Sequence, residues 1–331
     1  MVSWPNVAAP HATWEQLRRL GRPVWVSEEA AWIVHLPEHV EAVALDTRAF
    51  ANAVPTARQI EHDYLLTADG ATHHQHRATF LRHFGPRIQA ASAAAETTVT
   101  TVVETVDDAD IVELVTDLCN PIGTAVGSQI IGYVDESDLA LAGGESRVEL
   151  HRLLERHDAE PSAGSPARDL LQQLVHEGTP PAVASSQVAG LLCAMLVAAQ
   201  DTLPAACALT LLRSLRSEEI PDRQPLVADT PLLGLFSVCR ISTNLGDVRI
   251  RAGDRVFVAW AAANSASDGR DYTFGHGVHR CPAARAVNEL VLAAVGAART
   301  ALALHLVGPV RVEAHSHVRR PQALMCESRR A

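Results

Sequence analysis

The sequence contains no lysine. All 28 of its lysine-plus-arginine positions are arginines, set against 38 acidic residues, for a formal net charge of −10. A chain of that sign has no general attraction for nucleic acid or for an anionic membrane surface. Aromatics are scarce too, at 4% of residues, too few for the stacking platforms that hold single-stranded nucleic acid. Of the six cysteines, at 119, 193, 207, 239, 281 and 326, none stands in a Cys-x-x-Cys pair, which speaks against a structural zinc site. The start, Met1-Val2-Ser3-Trp4-Pro5, has no basic region followed by an apolar run, so no signal peptide is expected. The longest apolar stretches are interrupted by Gln200, Asp201 and Pro204, or by Asn288 and Glu289, and no membrane span is expected. The expected location is a reducing cytoplasm.

What is present can build a sizeable core: 331 residues, 47% of them hydrophobic. Apolar spacing predicts a short helix over 14–20, two strand-like runs at 23–27 and 31–36, and a helix over 37–45. A surface loop is expected over 51–66 and a linker over 159–166. Long helical patterns cover 88–105, 111–131 and 188–215. The runs at 248–251 and 255–258, around Ala252-Gly253-Asp254, read as a hairpin, and 305–325 is strand-like. The expectation is one mainly α domain over 1–331 with small β-sheets. Its β-rich part covers about 20–60, 241–262 and 305–326.

The segment Phe274-Gly275-His276-Gly277-Val278-His279-Arg280-Cys281-Pro282-Ala283 carries the most chemistry. Glycines on alternate positions let a backbone pass close to a flat, bulky object. A cysteine at the entry to an apolar helix meets amide donors and the positive end of the dipole, which favour its thiolate. The plain alternative is a buried, inert cysteine after a glycine-rich turn. The ordered pattern Phe-Gly-x-Gly-x-His-x-Cys closely resembles the cysteine-ligand loop of the cytochrome P450 family, the heme-thiolate monooxygenases. The resemblance implies a reduced form of that fold, with heme b (iron protoporphyrin IX) as cofactor and Cys281 as its axial ligand. Phe274 and Gly275 would lie against the heme.

Other segments follow the same family in the same order. Asp69-Gly70-Ala71-Thr72-His73-His74-Gln75-His76-Arg77 resembles the helix that touches the heme propionates. His73 and Arg77 are four apart and share a helical face, where two donors can hold a carboxylate. His74 and His76 have no such match and are expected at the surface. The resemblance assigns two further propionate donors, Arg240 and His279. Asp201 and Thr202 interrupt an apolar helix, an expensive place for polar groups. The pair fits a helix cap after a break at Pro204, or, by the resemblance, the acid-alcohol pair that delivers protons during oxygen activation. Ala199 stands where the family usually has glycine.

The chain also departs from the family. At the two positions of its Glu-x-x-Arg motif stand Pro231 and Gly234, and the loop holding the partner arginine is largely missing between 265 and 274. Residues 159–179 are short for the two helices that roof the substrate pocket. The resemblance implies a monooxygenase acting on a small organic substrate, a natural product by expectation, with electrons from a ferredoxin-type redox partner. The alternative is a catalytically inactive helper for a biosynthetic protein partner such as a glycosyltransferase. A heme enzyme using peroxide or non-redox chemistry is a third.

Overall fold

The computed structural model describes residue 4 and residues 10–52, 65–132, 165–217, 226, 229–266, 269–315 and 317–329. Most of the expected loop over 51–66 and linker over 159–166 lie outside the described residues. Helix α1 (His11–Leu20) buries Trp14 and Leu17 and ends at Gly21, whose φ of 63° suits a residue without Cβ. Strands β1 (Val24–Val26) and β2 (Ala31–Val34) form a hairpin, and α2 (Pro37–Leu45) starts on a proline at its first turn, where no amide is missed. Strand β3 (Phe50–Asn52) follows.

Helix α3 (Gly70–Thr105) is longer than the pattern over 88–105 predicts: 36 residues, running through Pro86. Pro86 is exposed, so the carbonyl deprived of its amide can turn to water instead of breaking the helix. The expected helix over 111–131 is corrected. Ile111–Glu113 is strand β4, a π turn covers Val115–Cys119, and α4 is Asn120–Ile131. Glu113 marks the switch. Its carboxylate accepts the amides of Val115 (3.1 Å), Thr116 (2.8 Å) and, from the far end of the chain, Leu324 (2.6 Å). Burial works against its charge, but donation from the Leu324, Thr116 and Val115 amides outweighs it and holds the carboxyl below its ordinary value of 4.5. Glu113 therefore contributes stability that is present above pH 4.5 and is lost as pH falls through its lowered folded value. Glu113→Gln is expected to cost about 1–2 kcal/mol at pH 7 in denaturant unfolding, with the gap to wild type closing in acid.

Helix α5 (Pro166–His176) leads into a long apolar run of α6 (Pro181–Val197), a π turn (Ala198–Thr202) and α7 (Leu203–Ser217). By length and composition alone this run passes for a membrane span despite its polar interruptions, as core helices also do. Its packing accounts for the apolar surface: Leu203–Leu212 are all buried, among residues of α3, α4 and the helix after the cysteine loop. At Pro204 the helix does not break; a π turn precedes it. Leu203 donates to Ala198 O, one residue further back than in an α-helix, and Pro204 has no amide to offer the Ala199 carbonyl. Gly123 of α4 gives that carbonyl room: a Cβ there would overlap Ala199 O and lie 2.7 Å from Pro204 Cγ.

Strands β5 (Leu235–Cys239), β6 (Thr243–Leu245), β7 (Val248–Ile250) and β8 (Arg255–Val258) follow. The expected hairpin over 248–258 is also corrected. β7 pairs with β6 across Gly246-Asp247, while β8 joins a five-stranded sheet of order β1-β2-β8-β5-β3. Helix α8 (Trp260–Ala266) leads to the cysteine loop, and α9 (Ala284–Leu302) carries the chain on. Strand β12 (Met325–Glu327) pairs with β4 on one side and β9 (His305–Leu306) on the other, with β10 (Val312–His315) and β11 (Val318–Pro321) as a separate hairpin.

Candidate heme-thiolate site

The cysteine loop is closed by its own backbone. Gly275 donates to Tyr272 O (2.9 Å), Arg280 to Gly277 O (3.2 Å) and Cys281 to Phe274 O (2.9 Å), around a 3₁₀ turn at Gly277–His279. Gly275 and Gly277 have φ of 73° and 70°, so the turn requires them. Their reasons differ. Beyond its φ, Gly277 is demanded by the protein itself, because a Cβ would overlap Ala44 O of α2, whereas Gly275 has nothing closer than 3.9 Å. Of the two, only Gly275 keeps an open flank. Phe274 packs against the core shared by α3, α7 and α9.

Burial pushes the Cys281 thiol up from its ordinary value. The Ala283 amide, Arg77 and Arg280 act the other way, as expected of a helix entry, but burial prevails. The thiol therefore holds its proton at pH 7 until something replaces it, as a metal does.

Residues far apart in sequence converge beside it. Arg77 Nη1 approaches the Val278 carbonyl at 3.4 Å. The His73 and His279 rings meet edge to face at 4.4 Å between centroids. Arg240 Nη1 donates to Asp69 Oδ2 at 2.7 Å, and His279 Nε2 lies 3.3 Å from Asp69 Oδ1. His73 is 1% exposed, and its Nε2 has no hydrogen-bond partner. Burial, then the charges of His279, Arg77 and His74, lower its pKa to about 4, so it is neutral at pH 7. A buried nitrogen without a partner is costly, and the described residues hold several; this one lies on a ring packed against His279 beside the cysteine loop, where an added acceptor would satisfy it. Burial also lowers the Arg77 pKa, against the pull of Cys281.

The four expected propionate donors, His73, Arg77, Arg240 and His279, thus lie together around the Cys281 loop. Asp69 was missed as a partner. It occupies the N-cap position of α3 yet makes no cap bond, because its carboxylate is spent on Arg240 and His279. The sequence signal was there: an acid eight residues before Arg77 in the same motif. His76 is half-buried, not a surface residue, and its Nδ1 lies 3.2 Å from the Leu65 amide.

Asp201 and Thr202 sit on the π turn. The Thr202 hydroxyl donates to Ala198 O at 2.8 Å, the reverse of a cap, which accepts amides. Asp201 Oδ1 lies 3.8 Å from Arg320 Nη1 of β11. A cleft of about 260 Å³ opens between α7 and the β10–β11 hairpin, but none of its lining residues belongs to the cysteine loop.

The donor set fits a heme. It offers one sulfur with an amide beside it, two arginines and two histidines for a pair of carboxylates, and a glycine flank left open.

No family model matches the sequence, and no curated protein matches it. Solved structures match it over nearly all its length. The tirandamycin C-bound P450 monooxygenase TamI superposes with a TM-score of 0.82 at 18% identity, over 98% of this chain and 99% of that one. CYP154A1 from Streptomyces coelicolor A3(2) gives 0.80 at 19%, over 98% and 99%. P450BioI, in complex with an acyl carrier protein ligated to hexadec-9Z-enoic acid, gives 0.80 at 18%, over 97% and 98%. Mostly helical with small sheets, and matched over nearly its full length, the chain has the cytochrome P450 fold.

Proposed function

We propose that this protein is a heme-thiolate monooxygenase acting on a small organic substrate, with heme b held through Cys281. The observation that carries the reading is the unpartnered His73 Nε2, buried within a ring of donors next to Cys281, which precedes helix α9. When bound, heme supplies the activation of dioxygen and the insertion of one oxygen atom into substrate.

The chain's own residues have separable tasks. Cys281 gives up its proton and donates its sulfur, while the Ala283 amide, Arg77 and Arg280 stabilise the negative charge left there. His73, Arg77, Arg240 and His279 bind the two propionates. Asp69 holds Arg240 and His279 in place. Asp201 and Thr202 relay protons. For that, the Thr202 hydroxyl turns from Ala198 O toward a water, a rotation of one side-chain torsion, while Asp201 stays tied to Arg320. Electrons come from a ferredoxin-type partner. The TamI structure with tirandamycin C, and a monooxygenase of teicoplanin biosynthesis of similar fold, support a natural-product substrate. The P450BioI complex is an example of this fold taking a carrier-bound one.

One observation favours the second reading, a heme-free helper for a biosynthetic partner. At Gly234, where the family's motif has arginine, even a Cβ would lie 2.6 Å from Phe257 Cζ and overlap Val258 O. The ion-pair motif cannot be restored there without moving β8.

Heme retention separates the two readings. His73→Leu and Arg77→Ala are each expected to weaken heme binding by about 1.5–3 kcal/mol, the worth of a charged hydrogen bond, read as faster heme transfer to apomyoglobin. A His73→Leu/Arg77→Ala double variant that holds heme as the wild type does would remove the propionate assignment.

A further inference from the structure

Losing the Glu-x-x-Arg motif leaves open what ties the cysteine loop to the sheet. The described residues contain a replacement with no charge on it. Asn264 of α8 is buried, 6% exposed, and its amide is fully engaged. Its Nδ2 donates to Thr230 Oγ1 (2.7 Å) and to Thr273 Oγ1 (3.0 Å), and its Oδ1 accepts the Tyr272 amide (2.7 Å). Thr230 is itself buried, donates on to Leu226 O (3.1 Å), and immediately precedes Pro231, where the motif's glutamate is missing. Thr273 immediately precedes Phe274. From there the bonds continue to the sulfur-bearing residue: Gly275 to Tyr272 O, then Cys281 to Phe274 O.

We propose that Asn264, with Thr230 and Thr273, is a neutral amide clamp that holds the cysteine loop in the place of the missing ion pairs. Asn264 is a positioning residue acting through Tyr272 and Phe274 on Cys281. Its chemistry suits a buried place. An amide with both donors and its acceptor engaged leaves no charge to desolvate, whereas a lone arginine or glutamate left from a broken triad would be strongly destabilising. Tyr272 adds an outer tie, its hydroxyl donating to Glu41 Oε1 at 2.6 Å, where Arg270 also reaches at 2.7 Å. The clamp spans segments 34 and 9 residues apart, so its loss frees the loop as a unit.

The consequence at iron rests on the heme reading; the clamp does not, and the test keeps them apart. Native-state hydrogen exchange of the heme-free chain is compared for wild type and Asn264→Ala. Exchange of amides in 272–281 is expected to rise at least about tenfold, while amides of the α3 interior change far less. A residue that merely adds to global stability would raise both together. Should Asn264→Ala not fold, Thr230→Val/Thr273→Val removes two hydroxyls at nearly constant volume and is expected to give the same local pattern. Loop exchange that stays at the wild-type rate, or rises only in step with α3, overturns the clamp. In the heme-loaded protein the same variants are expected to lose heme about tenfold faster. A wild type that takes up no heme overturns the heme reading instead, and the exchange comparison still decides the clamp.

Discussion

With Cys281 replaced by alanine, purified protein supplied with heme is expected to show no thiolate spectrum at all. The red-shifted Soret band of the reduced carbon-monoxide complex should be abolished, since none of the four other cysteines whose side chains are described can stand in. Cys119, Cys207 and Cys326 lie in the core shared by α3, α4, α7 and α9. Burial pushes the Cys207 and Cys326 thiols up to about 12, and Cys119 rises as well. Cys239 is buried at the end of β5, which lies between β8 and β3 in the sheet. Among the cysteines whose side chains are described, Cys281 alone is partly open, before a helix and with arginines beside it. A variant that folds as wild type and still gives the band would move the ligand elsewhere.

The second large effect is a reversal of sign. In a helix interior, Gly→Ala ordinarily stabilises by up to about 1 kcal/mol. Gly123→Ala is expected to destabilise by about 3 kcal/mol, because the new methyl meets the Ala199 carbonyl and the Pro204 ring. Gly85→Ala on α3 is the comparison without that clash: apart from its chain neighbours a Cβ there meets nothing within 4 Å, and although the following Pro86 restricts that position, the variant should destabilise far less. Urea unfolding of the two variants measures the contrast. Equal shifts would mean that α4 does not press on the π turn. The same contact fixes the register of Asp201 and Thr202, so heme-loaded Gly123→Ala should also differ from wild type in substrate coupling.

How much of this was legible varies with the range of the forces. The cysteine loop could be read because its bonds are local: Cys281 to Phe274, Arg280 to Gly277. Helix α2 was read to the residue because Pro37 starts it and its apolar face is continuous. Ile111–Glu113 was misread because Ile-Val-Glu-Leu-Val suits either period, and what selects the strand is pairing with β12, more than 200 residues on. Two glycine turns, at 246 and 253, competed for one hairpin, and β8's pairing with β2 and β5 decided it. Asp69 was read only as the start of the motif before His73, because its partners Arg240 and His279 lie 171 and 210 positions away. Asn264 gave no signal at all, since its meaning lies in Thr230 and Thr273. The shortened segment after it was visible only as something missing.

The central claim, that the site around Cys281 takes up heme through sulfur, is tested most directly by one absorption spectrum. Purified wild-type protein is supplied with heme, reduced and treated with carbon monoxide. The account predicts a Soret band far to the red, the signature of a thiolate opposite carbon monoxide. A protein that retains no heme, with no Soret absorption after free heme is removed, would contradict it, leaving His73 Nε2 without its partner and favouring the heme-free helper.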